Sequence, residues 1–222
     1  MRIFVFRIAK GKPGGIVEAS CPIDFEKKKD ELRKIVSNTK QGLIPYETNG
    51  YKDYLNEELW QNNKLRQGWG IPGLDLRKGI DNWIENYLIG LRKYWDVSLE
   101  EMQEYEPCKE AAGRFDMFES TIGSVEKGDI IIIPTHSEDN YHDREKFTIA
   151  TVSDNYYFDL NEKYNDFGHV IPVSNQQSLF YNNILKPTDF TGYYQRAVTE
   201  VKENYKIYQT LLKVLNNNYF TK

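Results

Sequence analysis

Apolar residues in the middle of the chain recur at the three- and four-residue spacing of an amphipathic helix. The pattern begins after Leu74 and continues to Trp95, so it places these side chains on one side of a helix. Ser98 and Glu101 then have the spacing of a capping box, which predicts the start of a second helix. Pro107 lacks the amide hydrogen that a helix interior needs, so it should end or bend that second helix.

The two ends of the chain combine strand and helix patterns. Residues 3–9 are rich in Ile, Val and Phe, and a turn sequence at 12–15 predicts an opening hairpin. Asp24 is suited to cap a highly charged helix over 25–36. Near the other end, apolar residues recur at helical spacing, which predicts a long C-terminal helix over 193–215.

Between these helices the hydrophobic pattern becomes that of strands. A Gly128-Asp129 turn precedes four consecutive Ile residues at 130–133, which predicts a strand buried on both faces. Further strands are predicted at 147–152, 156–158 and 168–173. Several short strands within one segment favour a small, partly closed barrel surrounded by helices, and therefore an α+β fold.

These patterns divide the chain into three segments. Residues 1–65 should form a hairpin and helices that pack on the barrel, 66–182 the barrel, and 183–222 the C-terminal helix. The whole chain carries a net charge of −4. Residues 112–182 contain five Lys and Arg against twelve Asp and Glu, so any polyanion would have to be held mainly by the flanking segments.

Composition and targeting signals exclude several classes of protein. Cys21 and Cys108 are the two cysteines, and neither has the neighbours of a zinc site or a disulfide framework, so both should be reduced and buried. Arg7 interrupts the N-terminal apolar run, and no stretch approaches the ~18 apolar residues of a membrane span. We therefore expect a cytoplasmic protein with no membrane partner.

The Gly-rich segment at 66–73 is the most unusual local sequence. Three glycines and a proline in eight residues exclude a regular element and predict a shaped loop that carries Arg66, Gln67 and Trp69. In one interpretation Trp69 stacks on a planar ring while Gln67 and backbone amides bind the edge of that ring. In the other, Trp69 plugs the end of the barrel.

Six motifs in order resemble the PUA-like superfamily, and are most similar to the EVE-like modified-base readers of modification-dependent restriction systems. They are the Trp69-Gly70 loop, Gly113-Arg114-Phe115, the Gly-Asp turn with its Ile run, the strand 147–152, Tyr156-Tyr157-Phe158, and Gly168-His169 with the strand after it. The resemblance covers about half of the chain. It implies a pseudobarrel that extrudes a nucleobase into an aromatic pocket and recognises a modification there.

The resemblance also implies which residues contact the base. The candidates are Gln67, Trp69, Gly70, Ser120, Thr121, Tyr156, Tyr157 and His169. A histidine in a strand is also a common half-buried packing residue, and His169 fits that alternative too. Four cations bracket the Gly-rich loop and are the candidate phosphate-binding residues, namely Lys64, Arg66, Arg77 and Lys78.

Catalytic and metal-binding signals are weak in the sequence. The polar loop 135–146 contains His136 and His142 among acidic residues, and it suits either a cation or simple solvation. The spacing in Glu200-Val201-Lys202 is that of a nuclease motif, but it falls in the predicted C-terminal helix and not on a strand. We therefore predict no enzymatic activity, no metal and no cofactor.

The sequence thus favours a nucleic-acid-binding module that recognises a flipped base of DNA or RNA, with or without a modification. A restriction or phage-defence context, with a protein partner that has nuclease activity, follows from the resemblance. The alternative is a non-catalytic specificity or regulatory subunit that acts through protein contacts of its amphipathic C-terminal helix. An enzyme acting on a small nucleotide has little support, because no activated nucleophile or metal set is visible.

Overall fold

A computed structural model describes residues 1–7, 19–21, 23–37, 50–104, 106–161, 164, 166–193 and 197–221. The described helices are α1 (Phe25–Arg33), α2 (Gly50–Trp60), α3 (Ile80–Lys93), α4 (Leu99–Glu104), α5 (Pro107–Glu119) and α6 (Lys206–Val214). The described strands are β1 (Ile3–Phe6), β2 (Lys64–Gln67), β3 (Ile130–Ile133), β4 (Lys146–Val152), β5 (Tyr157–Phe158), β6 (His169–Phe180) and β7 (Val198–Glu200). The predicted turn at 12–15, and with it the opening hairpin, lies outside the described residues.

The strands form one sheet in the order β2-β6-β4-β3-β1-β7, and β5 pairs with β6 beside this path. The pairing of β1 with β3 is parallel, and the other described pairings are antiparallel. The long β6 pairs first with β2 and then with β4, and Asn175 at φ 54° lies within it. The sheet therefore curls into a half-barrel, and the fold is α+β as expected. Strands from all three predicted segments lie in this one sheet.

The strand β3 is buried on both faces, as its four Ile residues predict. Ile131 and Ile133 contribute to the apolar cluster that α3 and α5 cover, while Ile130 and Ile132 contribute to the cluster under α6. The neighbouring strand β1 divides its side chains between the two clusters in the same alternating way. The two central parallel strands thus separate two apolar layers.

The hydrogen bonds of the Asp129 carboxylate explain why a Gly-Asp turn precedes β3. This carboxylate accepts hydrogen bonds from the Arg2 backbone N–H at 2.7 Å, from the Arg2 guanidinium at 2.6 Å and from the Glu126 N–H at 3.0 Å. Burial alone would raise the pKa of Asp129, but these hydrogen bonds outweigh it and lower that pKa. The Gly-Asp step therefore joins the starts of β1 and β3.

Local capping signals are confirmed. Asp24 accepts a hydrogen bond from the Glu26 N–H at the start of α1. Ser98 and Glu101 exchange the reciprocal bonds of a capping box at 3.1 and 2.7 Å. Pro107 lies in the first turn of α5, where its missing N–H costs nothing.

The predicted C-terminal helix over 193–215 is wrong in its first half. Helix α6 begins only at Lys206, and Val198–Glu200 is the edge strand β7, paired with β1. The apolar residues in this region suit either period, and β1 has an open edge that this segment can pair with. Glu200 is thus on a strand, contrary to the prediction.

Candidate functional site

The Gly-rich loop holds Trp69 inside the protein. Trp69 is 6% exposed, and its ring stacks on Tyr87 with centroids 5.9 Å apart and contacts Trp95 at 5.4 Å. The guanidinium of Arg114 lies 4.4 Å from the ring centroid. The Trp69 ring is therefore enclosed by protein neighbours, which supports the packing alternative for this residue.

Gly70 is required for a backbone contact. Its N–H donates to the Asp166 carbonyl at 2.8 Å, and its own carbonyl accepts from the Gly168 N–H at 3.1 Å. A β-carbon at Gly70 would lie 2.2 Å from the Gly168 nitrogen. The glycines of these two loops thus permit the loops to touch each other.

His169 is fully buried and is not half-buried as expected. It pairs across the sheet with Gln67, and its Nδ1 lies 2.9 Å from the Tyr156 hydroxyl. The imidazole stacks against Trp83 and Phe118, with centroids 5.6 and 5.1 Å away, and these two rings also contact each other at 5.9 Å. Burial lowers the pKa of His169 to about 3, so the ring is neutral. Three of the predicted base contacts, Gln67, Tyr156 and His169, thus lie together, but within the core.

The other predicted base contacts lie apart from this cluster. Ser120 and Thr121 end helix α5, and both hydroxyls donate to the Met117 carbonyl, at 3.2 and 2.5 Å. Tyr157 is half-buried on β5. The structure therefore does not bring all eight predicted residues to one surface pocket.

The structure corrects the predicted role of Arg66 in phosphate binding. Its guanidinium is 3% exposed, and it donates to Glu58 at 2.5 Å and to the Asp159 carboxylate at 2.8 Å. It also donates to the carbonyls of Asp159 and Phe167. Lys64 binds the same Asp159 at 3.0 Å. The two cations are therefore engaged by protein carboxylates.

The remaining two predicted phosphate contacts are at the surface. Arg77 is exposed but is paired with Asp75 at 2.7 Å, and Lys78 is exposed. Since three of the four cations hold carboxylates, the loop has no strongly positive rim. This weakens an electrostatic case for duplex binding at the loop.

A different cavity lies where the parallel strands β1 and β3 end. We call it the β1–β3 cavity, and its volume is about 150 Å³. The carboxyl ends of adjacent parallel strands are a common position for ligand sites. Its walls include Phe6, Arg7, Pro134, His136, Tyr141 and His142.

His136 is the polar group of interest in this cavity. The side chain is 1% exposed, its Nδ1 lies 2.9 Å from the Thr148 hydroxyl, and its Nε2 has no hydrogen-bond partner among the described residues. Burial lowers the pKa of His136 to about 4, and the nearby His142 adds to that effect. The cavity thus contains a neutral imidazole with one unsatisfied nitrogen, which is uncommon in folded proteins.

The turn after β3 shapes the wall beside His136. Thr135 has φ 50°, a left-handed conformation that β-branched residues rarely adopt, and its N–H donates to the Tyr181 hydroxyl at 3.0 Å. The Tyr141 ring lies edge-on to His136 at 5.7 Å and to His142 at 4.8 Å. Planar rings therefore form much of the wall.

By its residue types alone, this loop suits either a cation or simple solvation. The described residues contain no group of three or more His, Cys, Asp or Glu side chains arranged to hold a metal ion. Glu138 and Asp139 are exposed, whereas His136 is turned inward. The usable signal in the sequence is a histidine three residues after the end of a fully apolar strand, because such a residue can pack back against the sheet.

The two cysteines also meet in space. Cys21 and Cys108 are free thiols beside one surface groove, and their side chains interact. Burial raises the pKa of Cys108 to about 12, and the contact with Cys21 adds to the shift. Cys108 is buried as expected, whereas Cys21 is half-buried.

Helices long and apolar enough to cross a membrane are lacking from the part of the chain that the structure describes. Comparison with known protein families, curated proteins and solved structures finds no match to this chain.

The buried histidines predict a loss of stability in acid. His136 and His169 have lowered pKa values in the folded protein, about 4 and about 3, against about 6.5 for an ordinary histidine. Below pH 6.5 the unfolded chain binds protons that the folded chain does not, so stability present above that pH falls as the pH decreases. We expect a loss of up to about 1.4 kcal/mol per pH unit and per histidine between pH 6 and pH 4.

Urea unfolding at pH 7 and at pH 5 measures this loss. His136→Phe should remove a large part of the difference between the two pH values, because it removes one of the two neutral imidazoles. Equal unfolding free energies at both pH values would contradict the buried, neutral state of these histidines.

Proposed function

We propose that this protein is a non-enzymatic binding module that accepts a single planar base of DNA or RNA in the β1–β3 cavity. One observation carries the proposal: His136, whose Nε2 is unsatisfied, lines a cavity walled largely by flat rings. A buried polar atom without a partner costs about 1–3 kcal/mol, and a ligand hydrogen-bond donor would recover that cost. A nucleobase combines a planar face with such donors.

The dimensions of the cavity suit one ring. Its volume is about 150 Å³, and an apolar cavity of about that size holds a benzene molecule. A base in a duplex cannot enter such a site, so the ligand is an extruded or single-stranded base. Nε2 is shielded from water in the free protein, so entry of a ring requires the turn at Tyr141 and His142 to shift.

Charges around the cavity favour a short ligand. Arg7 is exposed at the wall, and the Lys52 charge contributes to a lowered pKa of His142, after the larger effect of burial. Exposed Glu138 and Asp139 lie in the same loop as His142. With cations and anions mixed here, we expect few phosphate contacts and a shallow salt dependence of affinity.

The resemblance to EVE-like readers is the source of the biological part of the proposal, although none of the eight base contacts that it implies lines the β1–β3 cavity. We assign the half-barrel to the PUA-like architecture and place the protein in the cytoplasm, in a restriction or phage-defence system with a separate nuclease partner. A modification on the base belongs to the proposal through the same resemblance. In this proposal Trp69 supports the fold, and the base does not stack on it.

The protein-contact alternative relied on the apolar face of the C-terminal helix. That face is used inside the protein, because Ile207, Leu211 and Val214 pack in the apolar cluster beneath β1 and β3. The helix therefore has its partner in its own sheet. The base-binding function is better supported.

Fluorescence polarisation with labelled single-stranded DNA and RNA tests the proposal. His136→Phe keeps a flat ring and the Thr148 bond to the residue 136 carbonyl, but it removes Nε2 together with the Nδ1 bond to the Thr148 hydroxyl. We expect this variant to bind roughly tenfold or more weakly, the factor that an unsatisfied donor of about 1–3 kcal/mol implies. Trp69→Phe is the matched control in the Gly-rich loop and should bind as the unchanged protein does.

Thermal melts of both variants verify that they are folded. The opposite pattern, in which Trp69→Phe abolishes binding and His136→Phe does not, would place the base at the Gly-rich loop. If neither DNA nor RNA binds the unchanged protein, the proposed function is wrong.

A further inference from the structure

We propose that Thr148 fixes the tautomer of His136 so that the β1–β3 cavity selects ligands that present an N–H donor. The inference rests on the proposed function, because it specifies which edge of a base the same cavity accepts. Thr148 is here a positioning residue that acts through His136.

The tautomer follows from counting hydrogens at the Thr148 hydroxyl. The hydroxyl lies 3.1 Å from the His136 carbonyl oxygen and 2.9 Å from His136 Nδ1. A carbonyl oxygen can only accept, so the single hydroxyl hydrogen goes to it. The hydroxyl oxygen must then accept from Nδ1, which therefore carries the imidazole hydrogen. Nε2 is left with a lone pair and can only accept.

Thr148 is held rigidly enough to impose this choice. It is fully buried in β4, where it pairs with Ile133 of β3 on one side and with Ser178 of β6 on the other. A hydroxyl fixed in a central strand cannot follow a rotating imidazole. The acceptor at Nε2 is therefore part of the fold and is present before any ligand arrives.

The imidazole also stays neutral at ordinary pH. Burial and, to a smaller extent, the neighbouring His142 lower its pKa to about 4, and Asp143 opposes this only in part. A protonated ring would donate from both nitrogens and would reject an N–H group. Neutrality and the fixed tautomer together make Nε2 a selective acceptor.

The β1–β3 cavity should therefore discriminate between ligands of equal shape. An exocyclic amino group or a ring N–H can donate to Nε2, whereas a methyl group in the same place leaves Nε2 unsatisfied. Sites that hydrogen-bond a ligand group reject an analogue that lacks it far more strongly than apolar sites distinguish sizes. Methylation of a donor ring N–H removes its only hydrogen and should therefore exclude a base from this cavity, whereas a singly methylated amino group keeps one hydrogen to donate.

Two pairs of small probes test the selectivity by nuclear magnetic resonance titration. The first pair is 1-methylcytosine and the same ring with a methyl group in place of the N4 amino group. The second pair is 1-methyluracil and its N3-methylated derivative. In at least one pair we expect the N–H member to bind roughly 10-fold or more tightly, as one satisfied buried acceptor implies.

The nitrogen-15 shifts of the histidine rings give a second readout that does not depend on binding. The chain has three histidines, so the spectrum is simple to assign. Nδ1 of His136 should show a bonded hydrogen, and Nε2 the shift of an unprotonated nitrogen. The reverse assignment would overturn the inference.

Thr148→Val and Thr148→Ser separate positioning from packing. The Val variant loses the hydroxyl, so His136 should populate both tautomers and the preference within each probe pair should fall towards unity. The Ser variant restores the hydroxyl, and both the preference and the nitrogen-15 pattern should return. A ratio within a probe pair does not change with stability alone, since both members meet the same protein.

The outcomes distinguish this inference from the proposed function. If all four probes and the oligonucleotides fail to bind, the proposed function is wrong, and the selectivity falls with it. If the probes bind without preference, or if Thr148→Val keeps the full preference, only the role of Thr148 and His136 is overturned.

Discussion

Trp69→Ala should destabilise the protein by about 3–5 kcal/mol, the cost of removing a large buried aromatic ring. Trp69 is 6% exposed and joins the Gly-rich loop to Tyr87 of α3 and to Arg114 of α5. The substitution would leave a cavity between the loop and both helices, and it would also end the contact of the Arg114 guanidinium with the ring. Urea unfolding followed by circular dichroism measures the loss.

Trp69→Phe is the control for this result. It keeps an aromatic ring against Tyr87 and should lose clearly less stability than Trp69→Ala. Because Trp69 does not line the β1–β3 cavity, the folded fraction of either variant should bind ligands normally. A stable Trp69→Ala protein that has lost base binding would show instead that Trp69 is a stacking platform.

Arg66→Met should cost about 3–5 kcal/mol, as expected when one partner of a buried ion pair is removed. Arg66 connects Glu58 of α2, Asp159 after β5 and the Phe167 carbonyl before β6. Glu58 is itself buried, so the substitution would leave a carboxylate without its cation. Two backbone carbonyls would also lose their donors.

A second substitution identifies the cause of that loss. In the Arg66→Met background, Glu58→Gln removes the stranded charge and should recover part of the stability. Arg66→Lys keeps the charge but not the fork of donors. Its stability should therefore lie between that of Arg66→Met and that of the unchanged protein. If Arg66→Met unfolds at the same urea concentration as the unchanged protein but loses oligonucleotide affinity, Arg66 binds phosphate and the buried role is wrong.

Patterns that depend on near neighbours in the chain could be predicted. The Ile run of β3, the Asp24 cap and the Ser98–Glu101 capping box all involve residues within four positions of one another. Apolar alternation and capping geometry are local properties, so the residue types alone indicate the element. The α+β class and the partly open barrel followed from the same local patterns.

Features that depend on distant pairing could not be predicted. Strand β7 exists because β1 offers an open edge about two hundred residues earlier in the chain. The sequence around Trp69 suits either stacking on a base or packing in the core. Contacts of the Trp69 ring with α3 and α5 support the packing role. The position of Arg66 in the sequence suggests a phosphate contact, but the fold pairs its guanidinium with the carboxylates of Glu58 and Asp159.

The β1–β3 cavity is the clearest case of this difference. The residue types in the loop 135–146 indicated polar groups near two histidines, but the same residue types suit a solvated loop. Parallel pairing of Ile3–Val5 with Ile130–Ile132 brings two strand ends together, and the Thr148 hydroxyl orients His136. Hydrophobic periodicity carries no information about which strands pair or which nitrogen is left unsatisfied, because both depend on packing between residues far apart in the chain.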